Sequence, residues 1–194
     1  MPEYSNYPCK LLVGIGNKPL KYALTRHNVG FWFVDQMTNL HSITLQSDSY
    51  QKEIEFTKLN DFWISKPSEW INLSGVGVAY LKKKFLVQNN EIVVVHDEVD
   101  LPVGRVRVKF GGGHAGHNGI RNMIDMLGGA DFWRIRVGIG RPQVGKETDS
   151  HVLSKPIDEE RQIIDTRLSL LSNEINNFMS GNFHKMIQSI HTQT

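Results

Sequence analysis

The side chain with the most versatile chemistry in this sequence is His27, because an imidazole takes up and returns a proton near neutral pH. An apolar run at 11–15 predicts one buried strand before it, and an apolar periodicity that begins at Val29 predicts a helix after it. A crevice between a strand end and a helix start is where α/β proteins hold their sites. We therefore interpret His27 as a candidate catalytic base.

A histidine base works best beside a buried carboxylate that holds its tautomer. Asp97 is the candidate, because it follows the β-branched run at 91–96, which predicts a second buried strand. Asn17, Asn72 and Asn118 also lie at junctions between predicted elements, and an uncharged amide suits the binding of a peptide backbone or an oxyanion. Each asparagine alone is equally a turn or capping residue, so the three support a site only if they converge.

The elements that must position these residues interleave along the chain. Hydrophobic periodicity predicts helices at 29–40, 73–86, 120–127, 156–179 and 182–191, and strands at 11–15, 50–66 (a pair joined through Asn60-Asp61), 91–96, 105–110 and 132–139. Thr25 or Asn28 is expected to cap the first helix. The close strands predict a mixed sheet in an α/β fold. We expect one domain over 1–194, with a core of about 10–180 and a C-terminal helical segment at 182–194.

Composition is typical of a soluble globular protein, with 40% hydrophobic and 22% charged residues. Cys9 is the only cysteine, which excludes an internal disulfide and a zinc site built from several thiolates. No apolar run approaches the ~20 residues that span a bilayer. The N-terminal MPEYSNYPCK has no apolar signal core, so we expect a cytoplasmic protein.

Positive charge is concentrated in one block of the chain. The net charge is only +2, yet seven Lys or Arg residues stand against two Asp residues between positions 103 and 145. Cations alternate along the predicted strands at 105–109 and 134–136. The block indicates either an anionic partner such as nucleic acid or a solvated basic face.

The sequence offers partial motifs for other site chemistries besides the histidine base. Gly14-Ile15-Gly16 after a strand suggests a dinucleotide loop, but the fingerprint requires a third glycine at position 19, which is Pro. There is no phosphate-binding Walker loop and no G-x-S-x-G nucleophile elbow. His96, His114 and His117 offer donors for a metal-dependent hydrolase, and this alternative stays open.

Taken together, the motifs resemble the bacterial-type peptidyl-tRNA hydrolase family. They occur in unbroken order over roughly residues 10–180: Gly14–Asn17, Tyr22-Ala23, Thr25–Gly30, Lys66-Pro67, Asn72–Gly75, His96–Glu98, Asp100–Pro102, Gly111–Gly119, Arg134–Pro142 and Val152–Lys155. The resemblance implies a single α/β domain with a mixed, twisted sheet sandwiched between helices. It also implies hydrolysis of the ester between a peptide and the terminal ribose of tRNA, with neither metal nor cofactor, by a protein expected to be a monomer without membrane association.

The resemblance also assigns roles. His27 would be the base that activates water, and Asp97 would orient it. The peptide and the oxyanion or water would be bound by Asn17, Asn72, Asn118, Tyr22 and Trp70. Lys109 and Arg136 would clamp the 5′ phosphate of tRNA, and the acceptor end would pass His117.

This sequence departs from the family pattern at two places. Lys18-Pro19 replaces the usual Pro-Gly after the first asparagine, and Trp70-Ile71 replaces Phe-Met before Asn72. We expect Asn17 still to point inward, and the apolar wall at position 70 to persist. A non-catalytic RNA-binding relative is the second alternative to the hydrolase.

Overall fold

The computed structural model describes residues 8–183, 188 and 189, and these residues form seven strands and five α-helices. The strands are β1 (Leu11–Gly14), β2 (Gln46–Ser47), β3 (Glu55–Leu59), β4 (Phe62–Lys66), β5 (Ile92–Glu98), β6 (Val106–Phe110) and β7 (Trp133–Gly138). The helices are α1 (Val29–Leu40), α2 (Ser74–Phe85), α3 (Asn118–Leu127), α4 (Thr148–Val152) and α5 (Asp158–Met179). The helix predicted at 182–191 falls largely outside the described residues.

The strands form one mixed sheet in the order β2-β3-β4-β1-β5-β7-β6. β1 runs parallel to both β4 and β5, and β5 runs parallel to β7. The β3-β4 hairpin is antiparallel and lies towards one edge, and β6 pairs antiparallel with β7 at the other edge. The α/β fold with a mixed sheet is therefore confirmed. Within the described residues, no helix has the length and apolar character to cross a membrane.

The two faces of the sheet bury different helices, because side chains alternate along each strand. Val93 and Val95 of β5 pack in a core cluster with residues of α1 and α5. Ile92 and Val94 point to the opposite face and pack with residues of α2 and α3. The sheet thus lies between two helical layers, and the carboxyl ends of β1 and β5 open at one edge between them.

The predicted side-chain cap of α1 was wrong, because neither Thr25 nor Asn28 caps the helix. The Asn28 amide instead forms two hydrogen bonds with the backbone of Asn17: its Oδ1 accepts from the Asn17 N–H at 2.7 Å and its Nδ2 donates to the Asn17 carbonyl at 2.8 Å. The Thr25 hydroxyl donates to the Tyr22 carbonyl. These bonds fix the loop after β1 against the start of α1.

Two predicted strands have different limits in the structure. β3 begins only at Glu55, because the buried Asp48 carboxylate accepts the backbone N–H groups of Tyr50 and Gln51 and closes a turn there. β5 continues beyond position 96 through Glu98. Asp97 therefore belongs to a strand buried along its length, which restrains its side chain more tightly than a loop would.

Close contact between α1 and the sheet depends on a glycine pair. A Cβ added at Gly30 would lie 2.4 Å from the Val95 carbonyl oxygen, and one added at Gly14 would lie 2.2 Å from the Gly30 carbonyl oxygen. Both obstacles are backbone atoms, which cannot rotate away. Only glycine at these positions lets the first turn of α1, directly after His27, approach β1 and β5.

We predict that Gly30→Ala destabilises the protein by about 1–3 kcal/mol, the usual cost of overpacking a filled site. Gly129→Ala is the matched control, because its Cβ would meet only a carboxylate oxygen of Asp131, at 3.9 Å. Urea denaturation of both variants tests this prediction. Equal stability of the two variants would show that α1 can shift away from the sheet at no cost.

Candidate active site

A cavity of about 360 Å³ opens where β5 ends and α3 begins. Of the predicted site residues, His27, Asp97, His117 and Asn118 line it. α4 forms another wall, with Thr148, Asp149 and Val152. Residues 70 positions apart in sequence thus meet in one crevice, at the carboxyl ends of parallel strands as the sequence predicts.

His27 and Asp97 form a buried pair. The His27 Nδ1 lies 2.9 Å from Oδ1 and 2.8 Å from Oδ2 of Asp97. A carboxylate accepts hydrogen bonds, so Nδ1 carries the proton and Nε2 of the neutral ring holds a free lone pair. This is the tautomer that a histidine base requires.

The same carboxylate also holds His117, whose Nε2 lies 3.0 Å from Asp97 Oδ1. The other ring nitrogen, Nδ1, accepts the backbone N–H groups of Gly119 and Ile120 and so caps α3. A nitrogen that accepts two N–H groups carries no proton, so the proton of neutral His117 lies on Nε2 and is donated to Asp97. Asp97 thus accepts from two imidazoles.

The hydrogen bonds between Asp97 and the two imidazoles change the pKa values of Asp97 and His27. Burial alone lowers the pKa of His27, but the charge and hydrogen bond of Asp97, aided by the charge of Asp149, outweigh burial and raise that pKa above its ordinary 6.5. Burial alone raises the pKa of Asp97, but His27 and His117 together hold it well below its usual range. Asp97 is therefore an anion, and the pKa of His27 lies above that of a free imidazole.

The three histidines of the metal hypothesis do not converge on a common ligand position. His96 is buried, its Nδ1 donates to the Asp97 carbonyl at 2.7 Å, and burial together with His117 lowers its pKa to about 3. His114 accepts the Gly116 N–H at its Nδ1. Among the described residues, the side chains whose donor atoms lie within 4.8 Å of one another are His27, Asp97 and His117.

The asparagines occupy the predicted junctions but are not all in the cavity. Asn118 is the first residue of α3 and is exposed at the cavity wall. Asn17 is buried, and its Oδ1 accepts the Ile71 N–H at 3.0 Å, so it holds the short 3-10 turn Ile71–Leu73 that carries Asn72. Asn72 is exposed on this turn. Asn17 and Asn72 do not line the cavity itself.

The two departures from the family pattern leave this support intact. The Lys18 N–H donates to the Glu69 carbonyl at 2.8 Å, and its ammonium pairs with Glu55 at 3.1 Å. Trp70 is 36% exposed and packs edge-on against Tyr22 with ring centroids 6.0 Å apart. An aromatic wall therefore lies beside the Asn72 turn, although neither ring lines the cavity.

The predicted cationic strands lie side by side at the β6 edge of the sheet. Arg107 pairs in register with Arg136, and Lys109 with Arg134, so all four side chains start from the same sheet face. Lys109 is exposed, and Arg136 bonds Glu98 at 3.3 Å. Burial and the neighbouring Arg105 and Arg136 lower the pKa of Arg107, which indicates repulsion within the cluster.

Two arginines that are not among the predicted site residues hold the walls of the cavity. Arg134 is buried and donates to the carbonyls of Gly112 and Gly113, which fixes the glycine-rich loop before α3. Arg26 donates to the Ser154 hydroxyl and pairs with Glu160, which ties the segment after α4 to the turn that carries His27. The one available signal was a cation within an otherwise buried pattern, which commonly means an ion pair or a carbonyl contact.

A family model, curated relatives and a solved structure that are similar to this chain all carry the same family description. A family model described as peptidyl-tRNA hydrolase matches residues 11–194. A peptidyl-tRNA hydrolase of Coxiella burnetii (strain CbuK_Q154) is 38% identical over 187 residues, covering 94% of this chain and 97% of that protein. One from Variovorax paradoxus (strain S110) is 39% identical over 186 residues, covering 94% of this chain and 89% of that protein. The crystal structure of peptidyl-tRNA hydrolase from Acinetobacter baumannii has a TM-score of 0.86 at 32% identity, covering 94% of both chains.

We predict that Asp97→Asn lowers the pKa of His27 below 6.5, because the substitution removes the charge that raises this pKa and leaves the burial that lowers it. NMR titration of the His27 ring measures the change. Asp149→Asn is the control and should lower the pKa less, since Asp149 makes no hydrogen bond with the ring. A His27 pKa that is unchanged in Asp97→Asn would contradict the pairing.

Proposed function

Because this chain belongs to the peptidyl-tRNA hydrolase family, we propose that it hydrolyses the ester between a peptide and the terminal ribose of tRNA. The observation that carries the proposal is the His27–Asp97 pair, which leaves Nε2 of a neutral imidazole free beside a cavity of about 360 Å³. Such a pair is suited to removing a proton from water.

In this reaction, His27 Nε2 takes a proton from a water molecule as the water oxygen attacks the ester carbonyl. Asp97 stabilises the imidazolium that forms, through the Nδ1 hydrogen bond of 2.8 Å. The tetrahedral intermediate then collapses, the bond to the ribose oxygen breaks, and His27 returns the proton to that oxygen. The exposed Asn118 amide lines the same cavity and supplies an uncharged donor for the developing oxyanion.

The tautomer of His117 supports a mechanism without metal. A metal bound at His117 Nε2 would displace the proton that this atom donates to Asp97. The ring would then have to carry its proton on Nδ1, where two backbone N–H groups of α3 now donate, or become an imidazolate. Metal binding would therefore disrupt the helix cap, and we propose that this triad uses hydrogen bonds alone.

The cationic strands are proposed as the surface for the tRNA acceptor arm. Recognition of an RNA helix relies on phosphate contacts and shape rather than on base sequence. The family resemblance implies that Lys109 and Arg136 contact the 5′ phosphate of tRNA. Arg107 adds a third cation, in register with Arg136. Repulsion of Arg107 by the neighbouring Arg105 and Arg136 favours an anionic ligand.

We predict that His27→Ala slows hydrolysis of a peptidyl-tRNA by about 10²–10⁴-fold, the usual contribution of a positioned base. His114→Ala, which alters the same cavity wall, should retain most activity. Both rates are measured in metal-free buffer with a strong chelator. Loss of wild-type activity under these conditions would favour the metal-dependent hydrolase. Absence of wild-type activity with and without metal would favour a non-catalytic RNA-binding relative.

We predict that Lys109→Ala or Arg136→Ala weakens binding of tRNA-linked substrates. Each substitution should also weaken the dependence of binding affinity on salt concentration, by the equivalent of about one phosphate contact. Cleavage of a short peptidyl-nucleoside without the phosphate arm should change far less. Lys58→Ala, an exposed cation on β3 towards the other edge of the sheet, is the matched control. Equal losses on both substrates would contradict a division between a phosphate surface and a chemical centre.

A further inference from the structure

From one edge of the sheet to the other, the strand order gives a cationic surface, the candidate site and a groove. The cations of β6 and β7 lie at one edge, and His27 and Asp97 lie near the ends of the central β1 and β5. Towards the β3-β4 side, a groove of about 520 Å³ runs between the 51–54 segment, the loop after β4 and α2. The family assignment does not explain this groove.

Apolar side chains form most of the groove. Leu73, Val76 and Met126 are 47%, 48% and 46% exposed, and Trp70 closes one end. Leu73, Val76 and Tyr80 follow an i, i+3, i+7 spacing, so they share one face of α2 and its preceding turn. Four large apolar groups exposed along a single concave surface indicate a binding site rather than scattered surface residues.

Two walls of the groove, α2 and the loop after β4, lie in close contact. A Cβ at Gly77 would lie 1.6 Å from the Pro67 carbonyl oxygen, so only glycine lets α2 lie directly on the loop after β4. From Leu73 to Tyr80 the helix rises about 10 Å, at 1.5 Å per residue. An extended peptide covers that distance with about three residues, at 3.3 Å per residue.

We propose that this groove binds the apolar residues of the substrate's peptide that lie upstream of the esterified residue. The proposal rests on the proposed hydrolase function, because it gives the peptide of a peptidyl-tRNA a path away from the RNA. The RNA would then lie towards the cationic edge and the peptide towards the opposite edge, with the ester at His27 between them.

One short turn connects the groove with the candidate site. Trp70 and Leu73 line the groove and flank Asn72 in sequence. The turn that carries them is held by Asn17 through the Ile71 N–H. It also touches the start of α3, because a Cβ at Gly119 would lie 2.9 Å from the Ile71 carbonyl oxygen. A peptide that leaves the Asn118 side of the cavity therefore meets the Asn72 turn and then the groove.

Charge argues for a peptide rather than RNA as the occupant. Glu53 and Glu69 contribute two carboxylates to the lining, and Lys83 contributes one ammonium. Phosphate would be repelled by this balance, whereas the backbone and side chains of an apolar peptide carry no charge.

The test compares three substrates on the same tRNA: an N-acetylated single residue, a pentapeptide with Leu and Val upstream, and a pentapeptide with Ser and Asn upstream. We expect wild-type kcat/KM to be about tenfold higher for the apolar than for the polar pentapeptide, because the apolar side chains leave water when they bind in the groove. A tenfold preference corresponds to about 1.4 kcal/mol. Equal kcat/KM for the two pentapeptides would overturn the proposal.

Val76→Asp should bring the ratio between the two pentapeptides close to one. Leu40→Asp is the matched control, an apolar residue 54% exposed at the end of α1 and outside the groove, and should keep the wild-type ratio. A ratio unchanged by Val76→Asp, or equally reduced by Leu40→Asp, would contradict a peptide site in the groove.

A binding measurement separates this proposal from the hydrolase mechanism. Methyl NMR signals of Leu73, Val76 and Met126 should shift on addition of an amide-linked, non-hydrolysable analogue of the apolar pentapeptidyl substrate. The analogue with a single residue should leave them in place. Absence of shifts with the pentapeptide analogue would overturn the groove proposal even in an active enzyme, and failure of hydrolysis alone would not remove the shifts.

Discussion

A carboxylate enclosed in protein is stable as an anion only when donors replace its lost water, and Asp97 meets this requirement with two imidazoles. His27 reaches it from the start of α1 and His117 from the start of α3. One buried charge therefore fixes the orientation of two helices on opposite faces of the sheet. Backbone N–H groups at α3 in turn fix which nitrogen of His117 donates.

Because the buried Asp97 charge requires both imidazoles, several contacts around the crevice serve to hold the imidazoles near it. The Gly14–Gly30 contact brings α1 close enough for His27 to reach β5. Arg134 and Arg26 hold the loop before α3 and the segment after α4, which form the walls. None of these groups needs to touch substrate, yet each limits how far the imidazoles can move from Asp97. The geometry of His27, Asp97 and His117 is thus a property of the packed fold.

Much of this arrangement could be predicted from the sequence. Periodicity located most elements, and a histidine and an aspartate after two buried parallel strands were expected to meet because such strands end at the same edge. Sequence patterns within one segment could not predict which groups a polar side chain binds by hydrogen bonds when those groups belong to another segment. Asn28 resembles a helix cap but bonds the backbone of Asn17, and His117 resembles a substrate contact or metal ligand but caps α3. Both outcomes depend on distances between segments that periodicity does not encode.

The most direct test of the central claim is the protonation of the two imidazoles, read from long-range proton–nitrogen NMR correlations at a pH above the His27 pKa. We expect neutral His27 to carry its proton on Nδ1 and neutral His117 to carry its proton on Nε2, both donated to Asp97. A proton on Nδ1 of His117, or on Nε2 of His27, would contradict the hydrogen-bonded triad and the base mechanism that depends on it.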